Sequence, residues 1–409
     1  MSRPAGSRRP RWPDDLLDVP ALRAERQRAL PFREFVLKVH SRCNLACRYC
    51  YVYEAGDQLW RTQPRTMSRD TALQVCRRVA EHAERHGLGS VRVLLHGGEP
   101  LLAGIPFLRD LTRTLRARLP DTTDAEVLIQ TNGVLVDDET LRLCHEEDIG
   151  LAVSLDGPAA VHDRVRRDHA GRGSHTGVAA ALRRLSRPEH RRVWAGILAV
   201  IDVDSDPLTT YEHLLSYDPP AIRLLLPLGN WTHRPPGRTD DPAHTPYADW
   251  LIPVFDRWYR SPGPPVRIAF FESILDLLLG GVTRTETIGA APSQLAVVDT
   301  DGALTLSDQL KSAHEGADRS GFDVYRHTFD ALLHHPGVVA RRLGTAGLAE
   351  QCRACPVGAV CGGGHYPHRY RADSGYLHPS VYCPDLMALI RHVARAVRAD
   401  LALAAGEHP

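Results

Sequence analysis

Lysine is almost missing from this chain of 409 residues. It occurs only at Lys38 and Lys311, against a large complement of arginine. That imbalance reads as the base composition of a genome. With a net charge of +1 there is none of the basic excess that marks a nucleic-acid binder. Long apolar runs are missing too. No stretch is long enough to cross a bilayer, and no apolar segment near Met1 resembles a secretion signal. The expectation is a soluble, cytoplasmic protein with no nucleic-acid and no membrane partner. Cysteine is absent between residues 145 and 351. In a cytoplasmic chain the nine cysteines argue against a disulfide framework. Seven of them crowd into residues 43–50 and 352–383, and that clustering suggests metal. Cys76 and Cys144 stand alone in helical patterns and read as buried apolar residues.

At 43% hydrophobic, the chain can bury a large core and form more than one domain. Residues 1–33, with the basic stretch Arg8-Arg9-Pro10-Arg11, read as a partly ordered extension. After them, strand-like runs at 35–40, 91–97, 126–133, 151–157, 193–201 and 221–229 alternate with helical patterns. One such helix spans 68–87, with Ser68 as N-cap and Gly87 as C-terminal stop. Repeated β-α units imply a parallel sheet or barrel, whose chemistry gathers at the C-terminal ends of its strands. The first strand is followed by the cysteine motif, the second by GGEP, the third by TNG and the fourth by SLDGP. Four unusual motifs therefore fall at the same end of consecutive strands. Further on, 232–246 reads as a loop, 248–261 and 271–281 as helices, and 261–265 as a boundary. A hairpin at 295–308 turns at Asp301-Gly302, and a last helix runs from about 384 to 404. The expected division is 34–262 for the barrel, 263–340 for a bridging region with the hairpin, and 341–409 for a cysteine-bearing domain.

The spacing C-x3-C-x2-C in CNLACRYC places Cys43, Cys47 and Cys50 on the first of these loops. Three thiolates on a four-iron cube leave one iron open to a ligand. Zinc held by the same thiolates and His40 is the other reading of the spacing alone. With Tyr49 before the last cysteine, GGEP at 97–100, TNG at 131–133 and SLDGP at 154–158, the chain resembles the radical SAM superfamily over about residues 34–230. The resemblance implies an α/β fold, a partial (β/α)6 barrel. It implies a [4Fe–4S] cluster on Cys43, Cys47 and Cys50 whose open iron chelates the amino and carboxylate groups of S-adenosylmethionine. It also implies a 5′-deoxyadenosyl radical that takes a hydrogen atom from the substrate. Gly97 and Gly98 let the backbone approach closely, and Glu99 can accept from the ammonium. Ser154 and Arg166 match family positions that hold the methionine carboxylate, which the forked donors of arginine suit. Arg164 and Arg167 compete for that role. The plain alternatives are strand-end turn chemistry for Ser154 and Asp156, and a surface arginine for Arg166. Tyr49 matches the residue near the adenine, and Gln130 can line the pocket.

Cys352, Cys355, Cys361 and Cys383, spaced C-x2-C-x5-C with a distant fourth, resemble the SPASM domain of peptide-modifying radical SAM enzymes. His365 stands where that pattern expects a cysteine, and Ser307 stands where the family's G-x4-C motif places another. The losses fall on one cluster, so the resemblance implies one auxiliary [4Fe–4S] cluster on the four remaining cysteines. A structural zinc site on the same four is the alternative. Asp308 follows Ser307, at a position that serves as a base in related maturases; a surface hairpin residue is the alternative. PFREFVLKVHSRCNLACRYCYVYE, LHGGEPLL and CGGGHYPHRYR together resemble the FxsB-type branch. That resemblance implies a crosslink between an aromatic ring carbon and the β-carbon of a residue two positions on, a three-residue cyclophane. The substrate would be a ribosomal precursor peptide, and flavodoxin or ferredoxin an electron donor. Other outcomes on the same fold are a thioether, an ether, epimerisation or side-chain oxidation. A zinc-stabilised, non-catalytic peptide binder is a third reading.

Overall fold

A computed structural model describes residues 12–13, 17–18, 30–263, 266–283 and 285–404. The basic stretch 8–11, most of the expected N-terminal extension and residues 264–265 of the expected boundary lie outside the described residues. Six parallel strands form where the apolar runs lie: β1 Glu34–His40, β2 Ser90–Gly97, β3 Asp124–Thr131, β4 Ile149–Ser154, β5 Trp194–Val200 and β6 Ile222–Leu225. They lie in the order β6-β5-β4-β3-β2-β1. The last is shorter than its apolar run, because Pro227 has no N–H to continue the ladder. No helix among the described residues is long and apolar enough to cross a membrane.

Helices on the outer face cover the sheet. In Arg69–His86 the Ser68 hydroxyl accepts from the Thr71 amide at 3.0 Å, and Gly87 closes the helix at φ 56°. Cys76 and Cys144 are fully buried in the core, as lone cysteines on helical apolar faces should be. The expected hairpin forms as β7 Leu295–Val298 and β8 Ala303–Thr305. Its turn closes through Gly302 N to Asp299 O at 2.9 Å, with Gly302 at φ 88°. Less expected is its place: β7 lies parallel beside β1 and extends the barrel sheet, and β8 and β9 (Arg319–Asp323) continue it antiparallel. The segment after β8 is thereby carried next to β1. The C-terminal helix Cys383–Ala404 docks on the helix Pro246–Tyr259, where Asp385 accepts from the amides of Tyr247 (2.8 Å) and Ala248 (3.2 Å).

Both lysines are buried and paired, which base composition alone does not explain. Lys311 sits between Asp299 (3.4 Å) and Asp318 (3.5 Å) and is 4% exposed. Lys311→Met would strand two buried carboxylates, at a cost of about 3–5 kcal/mol. Thermal melts should show that loss at pH 8. They should show less of it at pH 5, where protonation relieves the unpaired carboxyls.

Candidate functional site

The cysteine loop begins where β1 ends, and the glycines of GGEP pin its first residues. Gly98 N donates to His40 O at 2.8 Å and Glu99 N to Arg42 O at 3.0 Å. A Cβ on Gly98 would stand 1.9 Å from Tyr53 Oη and 2.4 Å from Arg42 O. The close approach that glycine permits here is therefore chain against chain. On the loop's other side Ala46 N and Arg48 N donate to Arg167 O (2.7 Å) and Val165 O (2.9 Å). Burial pushes the Cys43 thiol up to about 12 and Cys47 up to about 11, and raises Cys50 as well. Cys43 Sγ faces two donors, Leu45 N at 3.4 Å and Asn132 Nδ2 at 3.6 Å. His40 Nδ1 is turned to the Arg42 backbone, 3.0 Å from its carbonyl oxygen.

One carboxylate ties the second and third strand ends together. Glu99 is fully buried; its Oε1 accepts from Leu101 N (3.0 Å) and Thr131 Oγ1 (2.8 Å), and its Oε2 from Asn132 N (2.8 Å). Burial raises its pKa against these three donors. A carboxylate has about four acceptor sites, so one remains for a further donor. Beyond β4, Tyr49 Oη donates to Asp156 Oδ2 at 2.5 Å and accepts from Arg166 Nη1 at 2.6 Å. Arg166 is buried, and its Nε has no partner. The Ser154 hydroxyl has no protein partner among the described residues and is half-buried. The competing arginines point elsewhere: Arg164 pairs with Asp202, and Arg167 donates to Asp163 O at 2.7 Å. Gln130 falls in the row that Lys38 and His96 share across β1 and β2, since its neighbour Ile129 pairs with Leu95.

Asp308 lies in this row's reach and is buried. It accepts from Tyr51 Oη at 2.6 Å, with Lys38 Nζ at 3.4 Å and His96 Nδ1 at 3.9 Å. Burial alone would raise its pKa, but Lys38, His96 and the tyrosine hold it down at about 2. The carboxylate is thus ionised in the interior. Lys38, Tyr51 and His96 were given no role by the motifs, and Asn132 and Asp156 lie inside TNG and SLDGP without a ligand role assigned to them. For Lys38 a signal existed: a cation inside the otherwise apolar strand FVLKVH.

The second cysteine group also assembles. Cys352 lies in the short helix Glu350–Arg353, Cys361 ends Gly358–Cys361, and Cys383 opens the C-terminal helix. Burial, with the neighbouring cysteines behind it, pushes the Cys361 thiol up to about 12 and the Cys383 thiol up to about 11. Arg369 braces the intervening loop through Gly362 O (2.7 Å) and Gly364 O (2.6 Å). Ser307 and His365 are both buried, and Ser307 Oγ has no partner. Among the described residues neither cysteine group brings three sulfurs within 4.8 Å of one another. The trio that does meet that distance is His82, His86 and Asp330, elsewhere in the fold. His82 Nε2 accepts from Phe32 N at 3.0 Å, which leaves the proton on Nδ1, facing Asp330. That trio is a structural contact between two helices.

Residues 37–214 match the model of the Radical SAM superfamily. The chain has the radical SAM fold. It is 24% identical over 385 residues to the serine-type anaerobic sulfatase-maturating enzyme of Bacteroides thetaiotaomicron, covering 90% of each chain. It is 22% identical to the cysteine-type enzyme of Clostridium perfringens, covering 86% of this chain and 94% of that one. Among solved structures, native anSMEcpe with bound AdoMet matches at a TM-score of 0.76 and 22% identity, over 90% of this chain and 98% of that one. Streptococcus suis SuiB bound to precursor peptide SuiA matches at 0.59 and 13% identity, over 89% and 78%. The radical SAM barrel and the cysteine-rich C-terminal region expected from the sequence are thus the architecture found. Gly98→Ala should lower both the thermal midpoint and the iron retained after anaerobic reconstitution. Gly56→Ala, where nothing lies within 4 Å of the added carbon, should change neither.

Proposed function

We propose that the protein is a radical S-adenosylmethionine enzyme that modifies a ribosomally made precursor peptide. The modification is a carbon–carbon crosslink between an aromatic ring and the β-carbon of a nearby residue, closing a three-residue cyclophane. The observation that carries the reading is the meeting, at one end of the sheet, of three half-buried thiols with a buried Arg166 Nε that has no partner and a half-buried Ser154 hydroxyl. A buried donor without a partner is costly unless a ligand completes it, and a carboxylate completes a guanidinium.

Cys43, Cys47 and Cys50 would hold a four-iron cluster with one open iron. Glu99, Ser154 and Arg166 would hold the amino-acid end of S-adenosylmethionine, with Tyr49 and Gln130 lining the pocket beside Gly97 and Gly98. Together these groups, when bound, supply a 5′-deoxyadenosyl radical. Cys352, Cys355, Cys361 and Cys383 would hold the auxiliary four-iron cluster. The match of residues 37–214 to the Radical SAM superfamily supports a cluster over zinc on Cys43, Cys47 and Cys50. Asp308 serves as the proton acceptor. Ionised and paired with Lys38, it can take the proton that the ring radical must lose to become aromatic again, and the auxiliary cluster would accept the electron lost with it. Flavodoxin or ferredoxin supplies the electrons.

The names of the matching proteins, sulfatase-maturating enzymes and a structure with a precursor peptide, support a peptide or protein substrate. The cyclophane rests on the FxsB-type motifs. Co-expression with a candidate precursor peptide should yield a product lighter by two hydrogens, with fragmentation blocked inside a three-residue ring. An unchanged mass with an inverted residue, or a thioether or ether placed by NMR, would replace the crosslink reading. Asp308→Asn should cut crosslinked product at least about 100-fold while 5′-deoxyadenosine still accumulates.

A further inference from the structure

Two buried residues outside the proposed chemistry link the halves of the cofactor pocket from behind. His162 lies in the helix Ala159–Val165, wholly buried. Its Nδ1 accepts from the Asp156 amide at 3.3 Å, and its Nε2 is 2.9 Å from Ser174 Oγ. An amide only donates, so Nδ1 bears the lone pair and Nε2 the proton. Ser174 Oγ accepts that proton's hydrogen bond and donates its own to Arg166 O at 2.9 Å. The Ser174 amide reaches the same carbonyl at 3.3 Å. Every bond in the series therefore has one direction: Asp156 amide, histidine, serine, Arg166 carbonyl.

The residues so joined are the two that meet at Tyr49 on the pocket side. Asp156 accepts from Tyr49, and Arg166 donates to it. Front and back contacts close a ring around the turn at the end of β4. Within that ring Arg166 keeps Nε unpaired. Burial, with repulsion from Arg166, His175 and His213, lowers His162 to about 2. The imidazole is neutral at any working pH, and the direction of the series does not invert.

We propose that His162 and Ser174 are positioning residues for S-adenosylmethionine, fixing the Arg166 backbone against the end of β4 so that the free Nε and the Ser154 hydroxyl face the ligand's carboxylate. The proposal rests on the assignment of Arg166 and Ser154 to that carboxylate. Neither residue touches the ligand. Their effect is on where Arg166 stands.

The test is S-adenosylmethionine binding to the anaerobically reconstituted full chain, by equilibrium dialysis and by the change in the reduced cluster's EPR signal on adding the ligand. Ser174→Ala should weaken binding about tenfold, by the same factor at pH 6.5 and pH 8.5, with iron content unchanged. Ser174→Thr, which keeps the hydroxyl, should bind like the parent. In an Arg166→Gln background Ser174→Ala should have no further effect, because the residue it aims is gone. Should Ser174→Ala fail to hold iron, His162→Gln replaces it, losing the Nδ1 acceptor, with the same expectation. Parental affinity in Ser174→Ala, or additivity with Arg166→Gln, overturns the positioning role. Parental affinity in Arg166→Gln itself overturns the carboxylate assignment beneath it.

Discussion

Three half-buried thiols gathered on one short loop impose the constraint from which the rest of the site follows. A buried thiol gives up its proton only when a positive charge takes the proton's place. Burial pushes Cys43 and Cys47 far above the ordinary thiol range, and the donors at Cys43 are neutral amides. For this loop the proposed iron–sulfur cluster would supply that charge. The surrounding structure is built to hold its shape in advance: GGEP pairs with its first residues, the segment after β4 with its middle, and Asn132 reaches across to Asn44 at 2.7 Å.

The same economy governs the interior charges. Glu99, Asp156, Asp308, Lys38 and Arg166 are all buried, and each has an opposite charge or several donors. Buried pairs of this kind contribute little net stability and much geometric definition. They cluster at the C-terminal strand ends, where a parallel barrel places its chemistry. Because β7 lies against β1, Asp308 in the segment after β8 is delivered to Lys38, and a position far along the chain becomes part of the barrel interior.

The strands, the long helices and the motif loops were legible because each rests on local pattern: apolar runs, the Ser68 cap, the Gly87 stop, glycine at the hairpin turn. The cysteine groups were legible because their spacing is itself chemical. What local pattern could not show was partnership across the fold. Lysine scarcity read as base composition, while the structure buries both lysines in ion pairs. Glu99 read as a ligand for ammonium, and it is first the clasp between two strand ends. Arg164, Arg166 and Arg167 were equivalent on paper; only folding shows that Asp202 and Asp163 draw two of them away. His162 and Ser174 lie in an unremarkable helix and loop, and their role appears only once Asp156 and Arg166 are seen to share Tyr49.

The central claim, an iron–sulfur centre with an open iron that grips S-adenosylmethionine, is tested most directly by what the purified protein contains and releases. Anaerobic reconstitution should load about eight irons and as many sulfides per chain, as two four-iron clusters require. Reduction in the presence of S-adenosylmethionine and the precursor should then release 5′-deoxyadenosine and methionine. Stoichiometric zinc without sulfide, and no 5′-deoxyadenosine under reduction, would contradict it.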